Sequence, residues 1–314
     1  MNKNSKIFVA GHNGLVGSAI VRKLRKENYN NLVLRSSKEV DLRDGNNVLE
    51  FFTAEQPDYV FFAAGTVGGI MANKTYPADF IYNNILIILN TIKAAHHIKV
   101  KKLLYLGSSC IYPKNSVQPI KEEYLLSGYL EESNKPYAIA KIAGIELCTS
   151  YNKQYGTDYI CLMPTNLFGL NDNYDLQNSH LVAALIRKFY EAQRNQTPYV
   201  ELWGTGTPKR EILSSDDVAD ACLYFMQNYS GNDIINIGRG IDYSIAEIAS
   251  MLKKISGFTG LIKFDTSKPD GTPRKLLDTS KANQLGWKSC SDISEDLENA
   301  YNDFVKNYNR YTQS

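Results

Sequence analysis

Nothing in this sequence is long and apolar enough to cross a membrane as a helix; no run approaches the ~18 consecutive apolar residues that a span needs. No charge of one sign dominates either, with 35 basic against 33 acidic residues and a net of +2. There is thus no basic tail or stripe to hold nucleic acid or an anionic surface. Cysteine is scarce and irregular: five thiols, at 110, 148, 161, 222 and 290, form no C-x-x-C pair and no Cys/His cluster at zinc spacing. A disulfide scaffold is excluded, no metal is expected, and the setting expected is the reduced cytoplasm. The first residues, MNKNSKIFVAGHNG, place a lysine before an apolar stretch far too short for a signal h-region. Repeats and low-complexity tracts are missing as well. What the chain does have is 314 residues that are 43% hydrophobic, enough for one large domain or two closely connected ones.

Short apolar runs alternate with helical periodicity through the first half. KIFVAG (6–11), NLVLR (31–35), YVFFAAG (59–65), KLLYLGS (102–108) and YICLMPT (159–165) read as strands buried on both faces. Between them, 15–27, 46–55, 80–97 and 138–156 repeat apolar residues at the 3.6-residue period. This alternation predicts an α/β fold, a Rossmann-type doubly wound parallel sheet with ligands at the carboxyl ends of its strands. The second half mixes helices (179–195, 216–228, 244–257, 295–308) with strands (200–204, 233–238, 260–265) and Gly/Pro loops near 169–178, 204–208 and 267–273. It reads as a smaller mixed α/β substrate domain: 1–170 a dinucleotide-binding domain to which elements near 212–240 return, and 171–314 the second domain.

Gly11, Gly14 and Gly17 lie between a strand and a helix, the context in which glycines let a backbone approach a pyrophosphate at a helix N-terminus. The second strand ends Arg35-Ser36-Ser37, with no acid before Glu39 and Asp41. A cationic, hydroxyl-bearing pocket of this kind suits a 2′-phosphate, so NADP is expected over NAD. The competing readings are an ordinary glycine turn and a solvated arginine.

Tyr137 and Lys141 lie four apart at a helix start and so share a face. An ammonium beside a phenol favours phenolate and allows proton exchange near neutral pH. The spacing alone is common, but Ser108 at an upstream strand end completes a hydride-transfer constellation. Cys110, two residues from Ser108, projects from the same side if strand geometry continues, and His180 opens a helix of the second domain. The two could exchange protons beside a ketone. They could equally be a small buried hydrophobe and a backbone-bonded histidine. WGTGTPKREIL (203–213) and KPDGTPRKLLD (268–278) couple Gly-Pro turns to basic residues, read either as solvated loops or as a phosphate clamp with Trp203 as a flat surface.

With these blocks assembled, the chain resembles the extended short-chain dehydrogenases/reductases and, within them, the GDP-L-fucose synthase family. GHNGLVGSAIVR, VGGIMANKTYPADFIYNN, LLYLGSSCIYPK, PYAIAKIAGIELCTSYNKQYGTDY, MPTNLFG, NSHLVAALIRKF, WGTGTPKRE and SKPDGTPRKLLD carry the resemblance over nearly the whole length. It implies an NADPH-dependent epimerase–reductase of a GDP-linked 4-keto-6-deoxy sugar. Ser108, Tyr137 and Lys141 would be the reductase triad, and Cys110 and His180 the base and acid of epimerisation. The cofactor would be held by Gly11, Asn13, Gly14, Leu15, Val16, Gly17, Arg35, Ser37, Asp41, Leu42, Ala64, Leu106, Lys141, Pro164, Asn166, Leu167 and His180. The GDP-sugar would be held by Ser109, Asn166, Lys188, Trp203, Arg210 and Asp270. Family members are homodimers joined by a four-helix bundle, here the helices around 80–97 and 138–156. The chain departs from the family at Asn13 and Ser37, where arginines are usual, at Thr66 in place of a lysine, and in REILSSDD (210–217). These leave open a reductase that sets C4 without epimerisation, on a GDP-4-keto-heptose or another modified sugar, and a regulator that senses NADP(H) without turnover.

Overall fold

A computed structural model describes residues 1–176 and 178–312, the side chains of Ile70 and Met71 apart; Gln177, in the loop expected near 169–178, lies outside the described residues. The first half runs β1 (Ile7–Ala10), α1 (Leu15–Lys26), β2 (Leu32–Val33), α2 (Gly45–Glu55), β3 (Tyr59–Phe62), α3 (Ile70–Thr75), α4 (Pro77–His97), β4 (Lys102–Leu106), α5 (Lys135–Tyr155), β5 (Tyr159–Pro164) and β6 (Asn166–Phe168). The second half adds α6 (Leu181–Arg194), β7 (Tyr199–Trp203), β8 (Lys209–Ser214), α7 (Ser215–Asn228), β9 (Ile235–Ile237), β10 (Asp242–Ser244), α8 (Ile245–Ser256), β11 (Leu261–Asp265), β12 (Arg274–Lys275), α9 (Ser280–Gln284), α10 (Ile293–Lys306) and α11 (Tyr308–Thr312).

The main sheet is parallel throughout, in the order β2-β1-β3-β4-β5-β9. Alternate residues of each strand go to opposite faces. Phe8, Phe62 and Tyr105 pack on one side with Val48 and Phe52 of α2, Ile92 of α4 and Ile145 of α5. Ile7, Val9, Phe61 and Leu104 pack on the other with Ile20 and Leu24 of α1 and Val218 and Phe225 of α7. Each fully buried aromatic or leucine contributes about 1.5–3 kcal/mol, so a sheet covered on both faces is the stable arrangement for strands this apolar. Helix ends are set locally. Asp44 accepts from the backbone of Asn46 and Asn47 to start α2, and Ser244 and Glu247 form a reciprocal capping box on α8.

β9 returns to the edge of the main sheet after β6–β8 have left it. The second region centres on β8, which pairs with β6 and β12 in parallel and with β10 antiparallel. β7 and β11 form a separate parallel pair, and α6, α8 and α10 enclose a third core around Phe189, Leu252, Leu297 and Phe304. One difference from the sequence reading matters for function. Lys209–Ser214 is a strand, β8, in a stretch that the sequence leaves open between a solvated loop and a phosphate clamp. Its inward residues Glu211 to Ser214 are buried and only Lys209 is exposed.

Candidate active site

The strands end on one edge of the main sheet, and there the chain gathers its chemistry. β1 leads into a turn in which Gly14 N–H donates to the Gly11 carbonyl at 3.0 Å. Gly11 sits at φ +82°, and a Cβ on Gly17 would lie 2.0 Å from the Gly11 oxygen, so neither position accepts a side chain. Gly14 is the N-cap of α1 and no side chain caps that helix end. The first amides, those of Leu15, Val16 and Gly17, therefore face the turn as donors for an anion. Beside them His12 Nδ1 is buried without a hydrogen-bond partner, and burial lowers the His12 pKa despite Glu39 nearby. Asn13 is exposed at the rim. An uncapped helix end over a turn with glycine at 11, 14 and 17 fits a dinucleotide's pyrophosphate.

At the end of β2, Arg35 donates to Glu55 at 2.6 Å and is committed to that ion pair. Ser37 is exposed, and the Glu39 carboxylate folds back to accept from both the amide and the hydroxyl of Ser36 at 2.7 Å. The Arg43 guanidinium holds the Asp41 carboxyl below the usual range. Leu42 is half-buried against the core, and Ala64, just past β3, packs on the same side.

β4 ends at Leu106, and the backbone then tightens into a 3₁₀ turn over Ser109–Ile111 whose N-cap is Ser108. The strand does not continue to Cys110, so the expected same-side geometry is replaced by a turn. The Cys110 amide donates to Ser108 Oγ at 3.2 Å, which fixes the Ser108 hydroxyl against the Cys110 backbone at the strand tip. Ser109 is buried and Cys110 half-buried. From the first two turns of α5, Tyr137 and Lys141 reach the same place. Lys141 Nζ donates to the Leu106 carbonyl at 2.9 Å and lies 5.8 Å from the centre of the Tyr137 ring. Burial brings Lys141 down to about 8, with Cys110 opposing that fall. Burial also pushes the Tyr137 phenol well up, Cys110 adds to this, and the Ser108 hydroxyl pulls the other way. The phenol is thus kept protonated, which differs from the phenolate expected from the spacing: the ammonium is turned to the backbone.

Lys275 closes on Cys110, and His180 in turn feels the charge of Lys275. Lys275 of β12 directs its ammonium at the Cys110 sulfur, 3.7 Å away. His180, the N-cap of α6, retains an exposed surface at the cleft mouth. Surrounding protein and then the Lys275 charge hold its imidazole below the usual histidine value. Pro164 ends β5, and Leu167 and Asn166 open β6, where Asn166 donates to the Glu211 carbonyl at 2.8 Å.

The remaining predicted residues occupy the second region. Lys188 donates to the Glu201 carbonyl at 3.0 Å. Trp203 is 63% exposed with the Lys268 ammonium 5.9 Å from its ring. Arg210 donates to the Thr272 carbonyl at 2.6 Å, and Asp270 accepts from the amide and hydroxyl of Thr205 at 2.9 and 2.8 Å. Arg210 stands opposite Lys275 in the β8–β12 register, which links this set to the Cys110 group; Lys188 and Trp203 make their contacts around β7.

Three residues escaped the sequence reading. Lys275 carries no local signal, because its partner is 165 residues away. Asn84, buried in α4, binds the Thr66 amide at 3.0 Å and donates to the Thr66 and Phe80 carbonyls; an asparagine inside an apolar helical run was the available clue. Glu211 is fully buried, accepts from Leu277 and Gly240 amides at 3.0 and 2.7 Å, and is pushed up by burial. Among the described residues no cluster of three His, Cys, Asp or Glu could hold a metal ion, and no helix is long and apolar enough to cross a membrane.

Comparison with known proteins agrees with this geometry. The chain matches the NAD dependent epimerase/dehydratase family over residues 7–238. It is 52% identical to a putative GDP-L-fucose synthase 2 of Arabidopsis thaliana, covering 98% of this chain and 94% of that one. It is 49% identical to the GDP-L-fucose synthase of Escherichia coli K12, covering 98% of each. Among solved structures it resembles a GDP-mannoheptose C4 reductase from Campylobacter jejuni with NADP bound, at TM-score 0.90 and 42% identity over 97% of this chain and 99% of that one.

Proposed function

The chain belongs to the NAD dependent epimerase/dehydratase family and, among its extended short-chain dehydrogenases/reductases, to the GDP-L-fucose synthases, and on that premise we propose that it epimerises and reduces a GDP-linked 4-keto-6-deoxy sugar. It is an NADP-dependent oxidoreductase. The observation that carries the proposal is the meeting of Ser108, Tyr137 and Lys141 with Cys110 at the tip of β4, on the sheet edge where α1 offers its uncapped N-terminus.

Bound NADPH supplies the hydride for C4; the other tasks fall to side chains. Gly11 to Gly17 and the α1 amides hold the pyrophosphate. Ser108 polarises the C4 carbonyl. Tyr137, protonated in its buried setting, gives its proton to the oxygen as the alcohol forms. Lys141, still largely cationic at neutral pH, steadies the phenolate left behind. Cys110 and His180 move protons at the carbons beside the ketone, which the carbonyl acidifies. Residues 1–170, with elements near 212–240, serve the cofactor. Residues 171–314 serve the GDP-sugar through Lys188, Trp203, Arg210 and Asp270. Exposed Tyr82, Ile85 and Leu89 on α4, and Ile139 and Tyr155 on α5, support a homodimer paired through these two helices, working in the cytoplasm.

The test is turnover of GDP-4-keto-6-deoxymannose with NADPH in heavy water, with the product identified. The expected outcome is deuterium beside C4 and its loss in Cys110→Ser and His180→Asn. The likeness to a GDP-mannoheptose C4 reductase, with Thr66 and REILSSDD in the chain, supports a second reading: reduction alone, on a GDP-4-keto-heptose. Full reduction without any label beside the ketone selects that reading and overturns the first.

A further inference from the structure

Lys275 has no carboxylate within ion-pair distance among the described residues, and its side chain makes one polar contact there, to the Cys110 sulfur at 3.7 Å. The backbone that follows it, in contrast, is pinned on two sides. The Leu276 amide donates to Gln118 Oε1 at 2.8 Å, and Ile120 N–H donates to the Leu276 carbonyl at 2.7 Å. Asp278 N–H returns to the Ile120 carbonyl at 2.8 Å, and the Leu277 amide donates to the buried Glu211 carboxylate at 3.0 Å. Gln118 and Ile120 belong to the segment that leaves the Cys110 turn. The chain thus uses four hydrogen bonds and two buried leucines to hold a cation against one thiol. A sulfur is a weak acceptor, so the contact adds little to stability and needs another explanation.

We propose that Lys275 is a further positioning residue of the epimerisation half of the site: its ammonium orients the Cys110 sulfur and stabilises the negative charge of proton abstraction there. The inference rests on the epimerase reading above. In that step the sulfur anion takes the proton from the carbon beside the ketone, and the C–H electron pair moves onto the ketone oxygen as an enediolate. A second proton, from the His180 imidazolium, is delivered to the carbon's other face, which leaves a neutral thiol and a neutral imidazole. Negative charge passes from sulfur to sugar oxygen, and a cation beside both lowers the cost of each state. The charged and titratable groups around Cys110 are Tyr137 and Lys141 from α5 and Lys275 from β12, and His180 at the start of α6 feels the Lys275 charge. Of the two ammonium groups, Lys141 is bonded to the Leu106 carbonyl, and Lys275 alone is directed at the sulfur. Burial and then the Lys275 charge lower the His180 pKa, which makes its imidazolium a readier proton donor.

The test compares Lys275→Met and Lys275→Arg with the unmodified protein. Iodoacetamide alkylation at neutral pH is followed peptide by peptide, so that Cys110 is separated from exposed Cys290. We expect alkylation of Cys110 to slow on the order of tenfold in Lys275→Met and to recover substantially in Lys275→Arg. Deuterium entry beside the ketone should fall with kcat while the KM for the GDP-sugar holds. An unchanged alkylation rate, or a rise in KM alone, overturns the proposal and makes Lys275 a substrate-binding lysine, leaving the epimerase reading intact. Absence of deuterium in the unmodified enzyme's product overturns the epimerase reading, and this proposal with it.

Discussion

Lys141 reaches past Tyr137 to the Leu106 carbonyl, 2.9 Å from its oxygen and 5.8 Å from the phenol ring centre. The two side chains share a helix face, yet the ammonium spends its hydrogen bond on the last residue of β4. This ties α5 to the strand that carries Ser108, and it leaves the phenol governed by burial. For a reductase the result is useful, because a proton donor has to begin protonated.

The buried ammonium also has a thermodynamic signature. Lys141 titrates near 8 in the folded protein against 10.5 for a free lysine. Between those values the unfolded chain binds the proton more strongly, so stability rises with pH across that window, and below it the cost of burying the charge is present in full. Urea unfolding at pH 7 and pH 10 should show the unmodified protein gaining about 3 kcal/mol relative to Lys141→Met. A difference between the two proteins that stays constant with pH would mean that the ammonium is not buried.

Asp172 gives the opposite slope. It is 6% exposed, its Oδ1 accepts from the Asn173 amide at 2.7 Å, and its Oδ2 is buried without a partner. Burial pushes it up from 3.8 to about 7, so the folded state binds the proton more tightly and stability falls as pH rises from 3.8 to 7. Asp172→Asn should therefore melt higher than the unmodified protein at pH 8, by on the order of 2 kcal/mol or more, with a much smaller gap near pH 4. Equal shifts at both pH values would rule out the buried carboxylate as the cause.

Where the sequence signal is local, the structure follows it. Gly11 to Gly17, the apolar strands of the main sheet and the long helices α1, α4 and α5 all announce themselves within a dozen residues. The parallel sheet follows from their alternation. β8 was hidden because its first residues, Lys209, Arg210 and Glu211, look like a solvated loop, yet Glu211 is buried by contacts with 240 and 277. Cys110 was placed near Ser108 by sequence distance, but a 3₁₀ turn rather than a strand sets their relation. Lys275 depends on pairing between β8 and β12 and on bonds to Gln118 and Ile120, and no short window contains those partners.

The cofactor's 2′-phosphate is the last point on which this chain's residues make a quantitative claim. Arg35 is held by Glu55 at 2.6 Å, while Ser37 and Asn13, the positions where the family resemblance leads one to expect arginine, are exposed. The proposed 2′-phosphate pocket therefore has one engaged guanidinium and two neutral side chains. A bidentate guanidinium–phosphate pair is a strong charge-assisted contact, so Ser37→Arg should tighten NADPH on the order of tenfold and leave NADH nearly unchanged. Fluorescence titration of both reduced cofactors, without sugar, separates this binding effect from turnover. Asn13→Arg should act in the same direction. If the NADPH-to-NADH affinity ratio is the same in all three proteins, neither position faces the phosphate, and the preference for NADP arises from Arg35 and the serines alone.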